Sequence, residues 1–204
     1  MAKKTLIVNG SPRPEGETAY LIGVLKQQLR GEVVELSAFR DDISPCVDCR
    51  KCLETGRCAV DDDMRTVYDD EYDNVVLATP IYFADLPGQV LSLMSRFQAI
   101  RAAKLLSRKA GSGGQPEQAD HDIPPCQVPY AVLRKKKAAV ILTAGGKGNE
   151  SNAAHHIHVF FRMLNGYGYM EHYAAASHTD DLPASCDEQA IGQVRDIAAW
   201  LNAD

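Results

Sequence analysis

The 204-residue sequence has no long apolar run. Its hydrophobic stretches are strand-sized, far short of the roughly 20 residues that a membrane-spanning helix needs. No hydrophobic leader is visible before Thr5, since Met1-Ala2-Lys3-Lys4 runs straight into the first such stretch, so a cytoplasmic location is expected. A basic surplus is missing too. The 22 Lys and Arg stand against 27 Asp and Glu, a net charge of -5, which argues against a nucleic-acid partner. The dinucleotide fingerprint G-x-G-x-x-G does not occur. A Walker loop is excluded at its best candidate, because five residues separate Gly10 from Gly16 and Glu17 stands where the lysine belongs. No Ser-His-Asp or paired-carboxylate constellation stands out, so no side-chain acid–base catalyst is expected.

What is present is an alternation of short apolar runs with helical patterns. Thr5–Val8, Glu32–Leu36, Asn74–Ala78, Ala138–Leu142 and a stretch near Met170–Ala175 read as strands. Helical composition covers the residues after Thr18, a segment around Asp63–Tyr72, Pro87–Leu106, His155–Leu164 and Asp187–Leu201. Five strands alternating with helices predict one α/β domain over residues 1–204, a parallel sheet covered on both faces. Two segments break the rhythm: a cysteine-rich insertion at 45–60, and a Gly-, Pro- and Gln-rich insertion at about 109–130 centred on Gly111–Pro129. The second reads either as a surface insertion or as a lid or subunit-contacting arm.

Ligands of such sheets bind beyond the carboxyl ends of the strands. Three loops there have unusual composition. Ser11–Thr18 joins a strand to a helix start, where orphan N–H groups and the helix dipole favour an anion. Ser11 and Thr18 add hydroxyls and Arg13 a guanidinium; an ordinary polar turn is the competing reading. Thr79-Pro80-Ile81-Tyr82-Phe83 offers a flat aromatic wall, or plain core packing. Thr143-Ala144-Gly145-Gly146, extending to Gly148, lets a ligand approach the backbone. Phosphate at one end and a planar slot at the other suit FMN.

Gly10-Ser11-Pro12-Arg13 with Thr18, the Ala78–Phe83 run, and a cysteine segment closing in Asp62-Asp63-Met64 resemble the NAD(P)H-dependent FMN reductases of the flavodoxin-like superfamily, and more narrowly the iron–sulfur flavoproteins. The resemblance covers nearly the whole chain except Gly111–Pro129. It implies a doubly wound five-stranded parallel sheet of order 2-1-3-4-5 and FMN held non-covalently. It also implies homodimers or homotetramers with the flavin near a subunit interface. Ser11, Arg13 and Thr18 would take the phosphate, and Pro80–Phe83 would border the isoalloxazine. Relatives commonly carry Asn before the threonine, where this chain has Glu17. A carboxylate near a phosphate is unfavourable by about 1 kcal/mol even at 4 Å in water. Glu17 is therefore expected to turn its carboxylate away and offer its N–H.

Cys46-x2-Cys49-x2-Cys52-x5-Cys58 is the most specific chemical signal. Its compact spacing lets three thiolates meet one face of a [4Fe–4S] cubane, with the fourth arriving from a short return. Zinc, which more often takes two separated C-x2-C pairs, and plain thiols or a disulfide are the alternatives. His155, His156 and His158 lie on more than one helix face, which suits surface or dimer-contact residues. Arg134-Lys135-Lys136-Lys137 reads as a solvated strand entry or a site for the 2′-phosphate of NADPH. Cys126 and Cys186 are isolated. The expected activity is an FMN oxidoreductase. It would take electrons from NAD(P)H or a ferredoxin-type donor and pass them to a quinone, a flavin, a disulfide or another small acceptor. A non-enzymatic electron carrier and a cysteine redox sensor are the rival readings.

Overall fold

The computed structural model describes residues 3–68, 72–110, 136–146, 151–164 and 171–203. Five strands form one parallel sheet: β1 (Lys4–Asn9), β2 (Glu32–Ser37), β3 (Asn74–Pro80), β4 (Lys137–Ala144) and β5 (His172–Ser177). Their order is β2-β1-β3-β4-β5, as the resemblance implies, with the order reversing beside β1. Register brings Asn9 opposite Ser37 and Ala78, and Pro80 opposite Thr143, so the strands end together at their carboxyl edge.

Strand residues alternate between two faces, and the two cores follow that alternation. Leu6, Val8, Val75, Leu77, Val140 and Leu142 belong to one cluster. It is closed by α3 (Arg65–Tyr68), α4 (Gly88–Ser95), α5 (Gln98–Ala110) and α6 (Ser151–Leu164). Ile7, Val76, Ala78, Ala139 and Ile141 belong to the other, under α1 (Glu17–Gln28) and α7 (Glu188–Asn202). Both faces are covered, giving three layers. The remaining helix, α2 (Cys52–Thr55), is a single turn inside the cysteine segment and packs on α5.

The single helix expected over Pro87–Leu106 is two. At the junction the bonding tightens to i→i−3, from Arg96 N–H to the Leu93 carbonyl and from Phe97 N–H to that of Met94. The Tyr68 hydroxyl donates to the Arg96 carbonyl at 2.9 Å. The bend sends the Arg96 side chain inward and seats Phe97 edge-on against Phe160, ring centroids 5.5 Å apart. The final strand begins and ends two residues later than expected, and the helix around Asp63–Tyr72 is only one turn where described. Gly111–Pro129, Gly148, Cys126, Arg134 and Lys135 lie outside the described residues.

Candidate functional site

The loop after β1 is held by the sheet. The Gly10 N–H donates to the Ala78 carbonyl at 2.8 Å. A Cβ on Gly10 would stand 2.6 Å from both Thr79 Oγ1 and Val90 Cγ2, so only glycine lets the loop lie this close to β3 and α4. Asn9, 2% exposed, accepts from the Ser11 N–H at 2.9 Å and donates to Glu35 Oε1 at 2.8 Å. Burial would raise the Glu35 carboxyl, but the Asn9 bond and the adjacent Lys26 and Arg40 outweigh it and hold the group low. Ser11 Oγ in turn accepts from the Arg13 N–H at 3.2 Å.

At the helix entry, Gly16 is the cap residue of α1 and supplies no side-chain cap. Among the described residues, none accepts a hydrogen bond from the N–H groups of Gly16, Glu17 or Thr18. These are the orphan donors of a helix start, which suit an anion. Arg13 is exposed and has no acidic partner among the described residues. The Glu17 carboxylate accepts the N–H of buried Ala184 at 2.6 Å, in the 3-10 turn before α7. It is committed to that turn.

The three loops meet. Thr18 Oγ1 lies 2.8 Å from Thr143 Oγ1, both side chains buried, and the Ile81 N–H donates to the Thr143 carbonyl at 2.9 Å. The third loop is backed by Thr179 and Asp180, whose N–H groups donate to the Ala144 and Gly145 carbonyls.

Tyr82 and Phe83 are not core residues. Tyr82 and Asp85 exchange both backbone hydrogen bonds across a tight turn whose central residues, Phe83 and Ala84, have φ of 50° and 62°. That mirror-image turn favours Asn-Gly, and a side chain in the left-handed region costs about 1–2 kcal/mol. The strained turn projects Phe83 wholly into solvent and leaves Tyr82 42% exposed. Both aromatic side chains are thus presented at the carboxyl edge of the sheet, just beyond the end of β3. Asp85 braces the turn: its carboxylate accepts the Leu86 N–H at 2.7 Å and pairs with His156 Nδ1 at 2.8 Å. Burial raises the Asp85 carboxyl, and the bonds from His156 and Leu86 more than reverse this.

The cysteine segment leaves the same edge of the sheet, after β2. Cys46, Cys49, Cys52 and Cys58 all line one cavity of about 190 Å³, together with Arg96 from the junction of α4 and α5 and Gln98 and Ala99 at the start of α5. The volume far exceeds the roughly 10–15 Å³ that one water needs. None of the four is in a disulfide. Burial pushes the Cys52 thiol up, and the neighbouring Cys58, Cys46 and Cys49 push it further. Left-handed Asp48 and Arg50 (φ 49° and 61°) flank Cys49. Among the described residues, nothing accepts from the N–H groups of Val47, Asp48, Cys49, Arg50 or Lys51. Four thiols and such donors fit an iron–sulfur cluster, whose sulfurs are tuned by N–H groups. Among the described residues, no three His, Cys, Asp or Glu side chains gather closely enough for a single ion.

Sequence reasoning missed Asn9, Asp85, Arg96 and Asp62 as site residues. Asn9 precedes Gly10, and Arg96 is a cation inside the apolar run Leu91–Phe97; both were visible oddities. Lys137 belongs to the opposite edge. It opens β4, about 20 Å of strand from Thr143, and donates to the Trp200 carbonyl at 2.7 Å, so it serves α7 and not a nucleotide phosphate. Of the histidines, His155 and His158 are exposed and His156 holds Asp85.

A reversing parallel sheet with a phosphate-type loop at its switch point is the flavodoxin-like arrangement. Residues 3–181 match the NADPH-dependent FMN reductase family, and the chain belongs to it. It is similar to an iron–sulfur flavoprotein of Methanocaldococcus jannaschii, 32% identical over 113 residues, which cover 53% of this chain and 58% of that protein. An iron–sulfur flavoprotein of Archaeoglobus fulgidus is 33% identical over 101 residues, covering 47% and 51%. The chain thus spans little more than half the length of the curated relatives it matches. In fold it resembles an FMN-dependent NADH-azoreductase from Bacillus anthracis, solved with FMN: TM-score 0.60, 13% identity, 98% of this chain and 100% of that one.

Proposed function

We propose that this protein is an FMN oxidoreductase that takes electrons from NAD(P)H or a ferredoxin-type donor and delivers them to a small acceptor such as a quinone or flavin. One observation carries the reading. A single sheet edge presents both a cradle of N–H groups and an arginine that have no partner among the described residues and a cavity lined by four cysteines. Bound FMN supplies hydride and single-electron chemistry, and a [4Fe–4S] cluster supplies single-electron relay.

The chain's own part is positioning. The N–H groups of Gly16, Glu17 and Thr18 hold the phosphate, joined by the Ser11 and Thr18 hydroxyls and the Arg13 guanidinium. Thr79, Pro80 and Ile81 border the ring, Tyr82 and Phe83 cover it, and Thr143, Ala144, Gly145 and Gly146 give it backbone to lie against. Glu17 keeps its carboxylate on Ala184, away from the phosphate charge. Cys46, Cys49, Cys52 and Cys58 ligate the cluster. The α4 helix, about 12 Å long, runs from the Tyr82–Asp85 turn to the cysteine cavity and sets their separation. Fully exposed Phe83 suits a second copy of this chain in a homodimer or homotetramer. Among the described residues no helix is long and apolar enough to cross a membrane. The reduced thiols suit the cytoplasm.

The deciding experiment is an anaerobic absorption spectrum before and after NADPH, with iron and acid-labile sulfide assays on the same material. Flavin that bleaches promptly with NADPH alone supports the enzyme. Reduction only through a protein donor supports a carrier instead. Iron-free protein from anaerobic cells refutes the cluster.

A further inference from the structure

Arg96 is among the largest fully buried side chains, 1% exposed, and among the described residues Lys136 is the only other buried cation. Its guanidinium is the hub of the cysteine segment. Nη1 donates to the Ser44 carbonyl at 2.8 Å and to Asp62 Oδ2 at 2.5 Å. Nη2 donates to Asp62 Oδ1 at 3.1 Å, to the Val60 carbonyl at 3.4 Å and to Cys58 Sγ at 3.2 Å. Ser44 and Val60 lie two residues outside the first and last cysteines, so one side chain ties the two ends of the segment together. Asp62, also buried, is fixed by the N–H groups of Ser44 and Met64. Nε is left without a partner, an exception for a buried donor.

We propose that Arg96 is a positioning residue that locks Cys58 in place as the fourth ligand and raises the reduction potential of the cluster, with Asp62 opposing it. The inference rests on the four-cysteine cavity holding that cluster. Reduction adds one electron to it, with no bond made or broken. A cation donating to a ligand sulfur favours the more negative form, and a nearby anion disfavours it. Arg50 and Arg101 also line the cavity, but both are exposed and screened by solvent. Arg96 is shielded from that screening.

The test is a dithionite titration of anaerobically purified wild type, Arg96→Gln and Asp62→Asn. It follows the cluster's visible absorbance, with iron per chain measured and FMN per chain as the folding control. Arg96→Gln should lower the reduced-to-oxidised ratio at fixed potential at least tenfold, about 59 mV for one electron. Asp62→Asn, which keeps shape and leaves Arg96 uncompensated, should shift it the other way. Opposite signs are what a merely structural role would not produce. Arg96→Gln strands a buried carboxylate and is the variant at risk of misfolding; the upward shift in Asp62→Asn then decides by itself. Iron-loaded variants with unmoved potentials, or both moved in one direction, overturn the proposal and leave the cluster standing. Iron-free wild type overturns both.

Discussion

The two candidate cofactor regions share a sheet edge but are built by opposite means. The loop between β1 and α1 is fixed by neighbours that the fold itself supplies: Ala78, Thr79 and Val90 crowd Gly10, and Asn9 ties Ser11 to Glu35. Its unpartnered backbone donors, among the described residues, are held wherever the fold forms. The cysteine segment leaves the sheet and exposes most of its residues. Its geometry depends on one buried ion pair, Arg96 with Asp62, and on Ser95 Oγ accepting the Cys46 N–H at 2.9 Å. A cradle made by the fold is rigid without its ligand, whereas a loop pinned by a charge pair is set by few atoms and is sensitive to each of them.

The sharpest way to separate the regions is to damage the first alone. Gly10→Ala pushes a methyl into Thr79 and Val90, and overpacking of this kind costs about 1–3 kcal/mol. FMN retention should fall steeply as the loop lifts from β3, while iron content is kept. Equal loss of iron would show that the two regions form one unit. Arg13→Ala probes the same loop without touching its frame. Arg13 is exposed and has no acidic partner among the described residues, so thermal stability without FMN should not change. Affinity for FMN should weaken by about 1.5–3 kcal/mol, the scale of a charged hydrogen bond. Isothermal titration of the apoprotein measures it, and unaltered affinity would remove Arg13 from the phosphate site.

Glu17→Asn divides support from recognition. The shorter amide cannot reach the Ala184 N–H as the carboxylate does, and a charged hydrogen bond lost there should cost about 1.5–3 kcal/mol of stability. FMN affinity should stay level or rise, since a charge near the phosphate is gone. Clearly weaker binding would mean that Glu17 serves the cofactor directly.

The contrast also explains what the sequence made legible. Strands β1, β3 and β4 are short apolar runs flanked by turn residues, and burial of both faces leaves them no other reading. The three loops follow strand ends, so their meeting was foreseeable from topology. The contacts that fix side chains were not. Glu17 reaches Ala184 across 167 positions and Arg96 reaches Asp62 across 34, and neither partner is marked by local pattern. The split of Pro87–Leu106 belongs to the same class. Helix propensity favours continuing through Arg96, and the chain bends because Tyr68, Asp62 and Phe160 reward it from elsewhere.

The smallest expected effect concerns the Tyr82–Asp85 turn, which a charge pair braces as one does the cysteine segment. The Asp85 carboxyl is held below the ordinary carboxylate value because His156 and the Leu86 N–H outweigh the cost of its burial. A group depressed on folding stabilises the folded state above its unfolded pKa, about 3.9. That contribution is lost as pH falls through the lower folded value. Wild type should therefore exceed Asp85→Asn in melting temperature at pH 5, and the gap should close as pH drops below about 4. Both side chains are partly open to solvent, at 34% and 27%, which keeps the gap within about 1 kcal/mol. The strain at Phe83 and Ala84 makes this turn the place where so small a loss is felt. Limited proteolysis at Phe83, with a protease active in acid, should quicken over the same pH interval in wild type and be flat in Asp85→Asn. A gap that persists unchanged to pH 3 would show that the pair does not brace the turn, and that the backbone bonds between Tyr82 and Asp85 hold it unaided.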